Sequence, residues 1–355
     1  MEDTVTDFLD DIEHKLETID RHGTGRYYKP LEEAVDEFVR FAENPHLRVH
    51  TGIPLFDKAM RGVAPGELCL INGFAHSGKT VLATEVMLFN HDTPMVMFTP
   101  DETRPALLTK LAAADTGIGV EELERRIYQR DAEAKKILVD VARKYHQLAV
   151  YDENVSIHMM ETMFKEATEA LGARPRAVIF DYAEQLNEAF DTKAKLDALK
   201  RFGKDQDVAM FVLHQTSRSA GAAGKPLTID SGNYGGEQQA TFLITVRRKL
   251  SYFKDQLQDL EYKLANTTNP KMEDLYAERI HEIRFRLIPE HMDTVSIALQ
   301  KNKRPPMEKI EERDFKMDPV TGRVSLLFDE DEDERFDDGI QIEFFEGKSG
   351  RELLK

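Results

Sequence analysis

Leu68-Cys69-Leu70-Ile71-Asn72-Gly73-Phe74-Ala75-His76-Ser77-Gly78-Lys79-Thr80 is the stretch on which the fold turns. An apolar run leads into a G-x-x-x-x-G-K-T loop, and the residues after it open a helix. The order is chemically constrained. Glycines let backbone N–H groups close around phosphate oxygens, and the following helix N-terminus adds a favourable dipole. Lys79 is placed to reach β- and γ-phosphates and the Thr80 hydroxyl to bind Mg²⁺. His76 reads as a spacer. The expected nucleotide cradle is therefore Gly73, Phe74, Ala75, His76, Ser77, Gly78, Lys79 and Thr80, with ATP and Mg²⁺ as ligands. The bare pattern arises by chance in roughly one chain of this length in a hundred, so its flanking strand and helix carry the reading.

Working outward, short apolar runs recur at Met95–Phe98, Leu148–Tyr151, Ala177–Phe180, Val208–Leu213 and Thr241–Val246. Helical stretches separate them, and that rhythm predicts parallel β-α units. The fold class expected is α/β, with a central, mostly parallel sheet flanked by helices. A phosphate loop needs a second acid for its metal. Ala177-Val178-Ile179-Phe180-Asp181 supplies an apolar strand ending in a carboxylate, about a hundred residues after the loop. The run ending at Phe98 is followed by Pro100-Asp101-Glu102, which puts two carboxylates where the next parallel strand opens on the nucleotide crevice. A helix-capping acidic turn is the alternative reading there. Gln215, after Val208–Leu213, is a candidate sensor of the γ-phosphate, or a solvated strand end.

The flanks differ in character. Val5, Phe8, Leu9, Ile12, Leu16 and Ile19 recur at helical spacing, as do Leu31, Val35, Phe38 and Val39. Between about 250 and 290 the pattern changes to two helical stretches around Asn266–Pro270, read as a hairpin. A last β run, Thr294–Leu299, precedes Lys301-Asn302-Lys303-Arg304. Residues 329–338 hold eight acids and one arginine, a solubilising tail or a partner-docking one anchored by Phe344 and Phe345. The expected domains are an N-terminal helical segment (1–48), a motor (49–328) and the tail (329–355). Net charge is −17, which argues against a globally basic nucleic-acid binder but not against local basic loops. One cysteine, Cys69, fits a reducing compartment. No apolar run approaches the ~20 residues that span a bilayer, so a cytoplasmic protein with no membrane partner is expected.

Together these residues resemble the RecA/DnaB superfamily, and the DnaB-type replicative helicase motor most closely. Thr51-Gly52, Leu55, Asp57, Gly62 and Gly66-Glu67-Leu68 stand upstream of the loop in that family's order. Asp181-Tyr182 with Gln185-Leu186 matches its metal motif. Leu213-His214-Gln215-Thr216-Ser217-Arg218 is similar to its switch strand and the start of its DNA loop. The resemblance implies that Lys301, Lys303 or Arg304 reaches a neighbouring subunit's nucleotide. It selects Asp101 as the water-activating acid in the DnaB register and Glu102 in the RecA register; residue type favours Glu102. It further implies a compact, bacteriophage-encoded helicase acting in replication in a bacterial host's cytoplasm. Such a protein hydrolyses ATP while translocating on single-stranded DNA, as a homo-oligomeric ring of about six. A filament-forming recombinase and a nucleotide-switched loader that meets replication partners through the tail are the alternatives. Thr216–Gly236, with Arg218 and Lys225, suits a phosphate backbone; an unliganded surface loop is the other reading. Arg247-Arg248-Lys249 is a second basic cluster whose partner the sequence leaves open.

Overall fold

Strands that are apolar on both faces are stable only inside a layered sheet, and the chain builds one. The structure, a computed structural model, describes residues 31–188, 191–216 and 238–326. The expected helix before Leu31, the stretch 217–237 with Arg218 and Lys225, and the acidic tail lie outside the described residues. The strands are β1 (Leu68–Gly73), β2 (Met95–Phe98), β3 (Leu148–Tyr151), β4 (Ala177–Phe180), β5 (Ala209–Gln215), β6 (Phe242–Arg247), β7 (Thr294–Asn302), β8 (Ile310–Met317) and β9 (Val324–Leu326). Their order in the sheet is β3-β2-β4-β5-β1-β6-β7-β8-β9. The pairings from β3 across to β6 are parallel, and those of β6 with β7, β7 with β8 and β8 with β9 are antiparallel. The fold is α/β, as the rhythm of the runs implies, and RecA-like, as the resemblance implies.

Strand periodicity of two sends Cys69 and Ile71 to one face and Leu68 and Leu70 to the other. On the first face they pack with Leu82 and Val86, Leu107 and Leu111, Leu123 and Val141 from successive helices. On the second, Met160 and Phe164 from helix Ile157–Leu171 and Leu196, Leu199 and Phe202 from helix Thr192–Asp205 cover Val178, Phe180, Met210 and Val212. No helix among the described residues is long and apolar enough to cross a membrane.

The described residues fall into two units that divide after Pro45. In the first, helix Glu33–Glu43 carries Val35, Phe38 and Val39, all exposed. In the second, the segment before β1 is held by side chains that the sequence spacing marks. Asp57 Oδ1 accepts from Thr51 N–H (2.7 Å) and the Thr51 hydroxyl (2.9 Å), and its Oδ2 accepts from Gly52 N–H (3.0 Å). Gly52 has φ +82°, and a Cβ there would meet Phe89 Cβ at 2.9 Å and Glu85 O at 3.0 Å. The last described strand is fastened to helix Lys79–Phe89, the helix that follows the phosphate loop. Buried Glu85 accepts from Arg323 Nε (3.0 Å) and from Val324 N–H (2.9 Å).

The antiparallel edge does not stand out in the sequence as a β run. In β8 only Ile310 and Phe315 are buried, and charge fills most of the strand. Two of these charges are paired with the end of β6 and the residues after it: Glu312 with Arg247 and Asp314 with Lys249, each at 2.5 Å. Arg248 Nη2 donates to Met292 O (2.7 Å). The cluster 247–249 therefore serves the sheet and the turn beside it. Between β6 and β7, helices Lys249–Asn266 and Pro270–Glu282 form a hairpin; Ile280 in the second helix and Ile283 in the helical turn that follows it are the buried residues.

Arg304 departs from what its basic neighbours suggest. It is 8% exposed. Its guanidinium donates to Met60 O, to Gly62 O (2.9 Å) and to the Glu67 carboxylate, and stands 5.1 Å over the Phe242 ring. In this subunit Arg304 is thus tied to the segment before β1, whereas the expectation placed it with Lys301 and Lys303 in a reaching finger. Breaking the pair strands Glu67 and two carbonyls. Arg304→Ala should lower the unfolding free energy by about 3 kcal/mol, read by urea denaturation. Lysine should not rescue it, because a point charge cannot replace the guanidinium fork. A change near zero for Arg304→Ala would refute the anchor.

Candidate nucleotide site

The loop leaves β1 at Gly73 and returns at Lys79, the first residue of helix Lys79–Phe89. Its tightness has a steric cause. A Cβ on Gly73 would meet Ser77 Oγ at 2.4 Å and Val246 O at 2.5 Å. Gly78 has φ +102° and caps the helix, which has no side-chain cap. The helix therefore begins with backbone donors that no side chain has claimed. Phe74 and Ser77 are buried, Ala75 and His76 exposed, and His76 adopts φ +59°. Lys79 turns back into the loop, donating to Gly73 O (3.0 Å) and Phe74 O (2.8 Å). Burial pulls its pKa down, against the opposing carboxylates of Asp181 and Glu184.

Thr80 and Asp181 meet across the sheet ends. The Thr80 hydroxyl donates to Asp181 Oδ2 at 3.1 Å. Asp181 N–H in turn donates to Phe98 O (2.9 Å), which fixes the end of β4 against the end of β2. Asp101 and Glu102 follow β2 closely, with Glu102 N–H donating to Thr99 O (3.1 Å). A cleft of about 340 Å³ results, lined by Thr80, Asp101, Glu102, Thr103, Ala106, Lys110 and Asp181. Nothing in the sequence singles out Lys110. Its ammonium lies 2.5 Å from Glu102 Oε1.

Gln215 is the last residue of β5 and sits opposite Gly73 in the parallel register. Thr216 N–H donates to Gly73 O (3.0 Å), so the strand end and the loop start are joined. A second residue that sequence reasoning misses, Glu184, supports this corner. Its Oε1 accepts from Gln215 N–H (3.1 Å) and lies 2.6 Å from Nδ1 of the buried His214. Lys301 and Lys303 lie apart from the cleft's lining. Each donates its ammonium to Gln238 O, at 3.1 and 3.0 Å. The structure thus brings together the cradle, Thr80, Asp181, Asp101, Glu102 and Gln215. Arg218 and Lys225 lie outside the described residues.

The donor chemistry fits the expected ligands. Ser77 Oγ is buried without a hydrogen-bond partner among the described residues, as a phosphate-facing hydroxyl is before its ligand. Thr80 and Asp181 offer hard oxygen donors of the kind Mg²⁺ takes alongside phosphate and water. Mg²⁺ held there would neutralise charge on the β- and γ-phosphate oxygens.

Comparison with known proteins agrees with this geometry. The family model described as DnaB-like helicase C terminal domain matches residues 48–309. Among solved structures, one described as an ATPase domain is similar, with TM-score 0.63 and 15% identity over 85% of this chain and 100% of that one. A DnaB-like replicative helicase, described with its interactions with primase, gives TM-score 0.61 and 16% identity over 90% of this chain and 72% of that one. At these identities the structures speak for the fold. No curated protein sequence matches the chain.

Burial, opposed by the Thr80 hydrogen bond and Lys79 and helped by Glu102 and Asp101, raises the Asp181 carboxyl from 3.8 to about 6. A folded pKa above the unfolded one means the native state holds the proton more tightly. Ionised Asp181 therefore costs stability above about pH 6, and the cost fades as pH falls towards the unfolded value. In metal-free, nucleotide-free protein, Asp181→Asn should raise Tm by several degrees near pH 8, and the gain should vanish near pH 4. Thermal melts across pH test this; a gain independent of pH would contradict it.

Proposed function

Because the chain belongs to the DnaB-like helicase C-terminal domain family, we propose that it hydrolyses Mg·ATP to translocate on single-stranded DNA and unwind duplex. On this reading it is a bacteriophage-encoded replicative helicase that works as a ring of about six subunits. The observation that carries the reading is the convergence of Thr80, Asp181, Glu102 and Asp101 on one cleft beside Gln215. A bare phosphate-binding loop needs no acid poised for water and no amide at the neighbouring strand end.

In this reading the triphosphate takes over the Lys79 ammonium from the carbonyls of Gly73 and Phe74. The N–H groups at the start of the helix and Ser77 Oγ hold the phosphate oxygens. Glu102 orients water in line with the γ-phosphate and takes its proton; Asp101, one residue away, is the alternative base. Gln215 meets the γ-phosphate and passes its state to the stretch that follows Thr216. Glu184 supports this by gripping the backbone of that strand end from beside the metal acid. Lys301 and Lys303 reach the neighbouring subunit's nucleotide. Like charge gathers there: after burial, Lys303 and Lys204 are what hold the Lys200 pKa down. Crowded ammonium groups suit a polyanionic partner. The acidic tail would engage a replication partner.

The chemistry is tested by Glu102→Gln and Asp101→Asn. Glu102→Gln should keep ATP binding within about threefold and lose roughly a hundredfold or more in turnover, with forked-duplex unwinding lost in parallel. Normal turnover in Glu102→Gln with loss in Asp101→Asn would move the base to Asp101. Normal turnover in both, or no ATP hydrolysis by the unaltered protein, would remove the reading.

DNA contact is tested separately through Arg218 and Lys225. If both touch phosphates, replacing them with alanine should reduce the slope of log K against log salt by about 1.4. DNA-free ATPase should persist. Titrations of labelled oligonucleotide at several salt concentrations decide it, and an unchanged slope would place the contact elsewhere.

A further inference from the structure

Lys110 lies in the second turn of helix Arg104–Thr116, the helix that follows β2. Thr103, Ala106 and Lys110 follow one another at intervals of three and four, so they share a helix face. That face lines the cleft. Helical side chains lean towards the N-terminus of their helix, and one turn rises about 5.4 Å, within reach of an extended lysine. Ala106, one turn back, has only a methyl group to place in the way. The Lys110 ammonium accordingly meets Glu102 Oε1 at 2.5 Å.

The charge balance of the cleft makes this contact more than surface decoration. Its lining residues include three carboxylates, Asp101, Glu102 and Asp181, and Lys110 is the one cation among them. The Glu102 side chain is only 14% exposed, while that of Lys110 is 49% exposed. The Glu102 carboxylate is thus held at the wall and the Lys110 ammonium remains at the solvent mouth. Glu102 sits one residue from the exposed Asp101. Across the cleft, Asp181 and Thr80 mark the metal side. The neighbouring Arg104 is engaged elsewhere: its N–H donates to Asp152 Oδ2 (3.0 Å) and its Nε lies 3.2 Å from Asp152 Oδ1.

We propose that Lys110 is a positioning residue for ATP hydrolysis, holding the Glu102 carboxylate against the cleft wall so that it faces the attacking water. This rests on the reading of Glu102 as the water-activating acid. Lys110 then acts on the rate of the chemical step and not on nucleotide binding. A lysine at a cleft mouth has an obvious competing role, direct contact with the γ-phosphate, and the two roles separate in kinetics.

The test uses the full-length protein with Lys110→Met, Lys110→Arg and the double variant Glu102→Gln/Lys110→Met. Lys110→Met keeps most of the apolar stem and removes the charge at an exposed position, so folding is retained. The proposal expects kcat to fall about tenfold or more in Lys110→Met, KM to stay within about twofold, and Lys110→Arg to recover most of the loss. Binding of a fluorescent, non-hydrolysable ATP analogue should be the same in Glu102→Gln and in the double variant. Unchanged kcat in Lys110→Met would overturn the proposal. An analogue affinity weaker by about tenfold in the double variant would also overturn it, assigning Lys110 to the nucleotide. Absence of hydrolysis by the unaltered protein is a different failure and removes the parent reading; the analogue-binding comparison needs no turnover and still reports on Lys110.

Discussion

The hydrogen bond from Thr80 to Asp181 closes a gap of 101 residues, and its existence depends on parallel strand order. A parallel sheet delivers the C-terminal ends of all its strands to one edge. With β4 separated from β1 only by β5, the acid that ends one strand arrives beside the helix that starts after the other. The same arrangement sets Gln215 next to Gly73 and puts the residues after β2 next to Asp181. Had β1 and β4 been antiparallel, the same residues would lie at opposite edges. The nucleotide site is therefore a property of strand direction first and of side-chain identity second.

Asymmetry between the two halves of the sheet follows from what each must cover. From β2 to β6, leaving aside the outer strand β3, the strands are buried on both faces and nearly all apolar. Beyond β6 the direction alternates, and charged residues enter the strands because ion pairs between neighbours absorb them. That explains how a strand as polar as Ile310–Met317 belongs to the same sheet as Ala177–Phe180.

Legibility in the sequence follows the same division. The apolar runs from Leu68 to Leu299 fall on strands, with three of them, Met95–Phe98, Leu148–Tyr151 and Ala177–Phe180, matching end to end. Strand β5 runs on through His214 and Gln215, further than its apolar portion. β8 and β9 escape notice because periodicity reports burial, and in β8 Glu312 and Asp314 are paired with Arg247 and Lys249, 65 positions away in the chain. The cradle, Asp181, Asp101 and Glu102 are readable because a local motif or a strand end marks them. Lys110 and Glu184 carry no such mark, since their meaning comes from Glu102 and His214. Arg304 looks like Lys301 and Lys303 on paper. Its burial is decided by the carbonyls of Met60 and Gly62, which only the folded chain brings near.

The clasp between Glu85 and Arg323–Val324 bears on how shortened versions of the protein should be cut. Glu85 lies in the middle of the helix that begins with Lys79, and its buried carboxylate takes its partners from the final described strand and the residue before it. Removing the acidic tail by ending the chain after residue 326 leaves both partners in place. Ending it a few residues earlier, before Arg323, deprives a buried charge of its counter-ion directly behind the phosphate loop. A weakened grip on nucleotide in such a truncated protein would then look like a contribution of the tail, although the tail had no part in it.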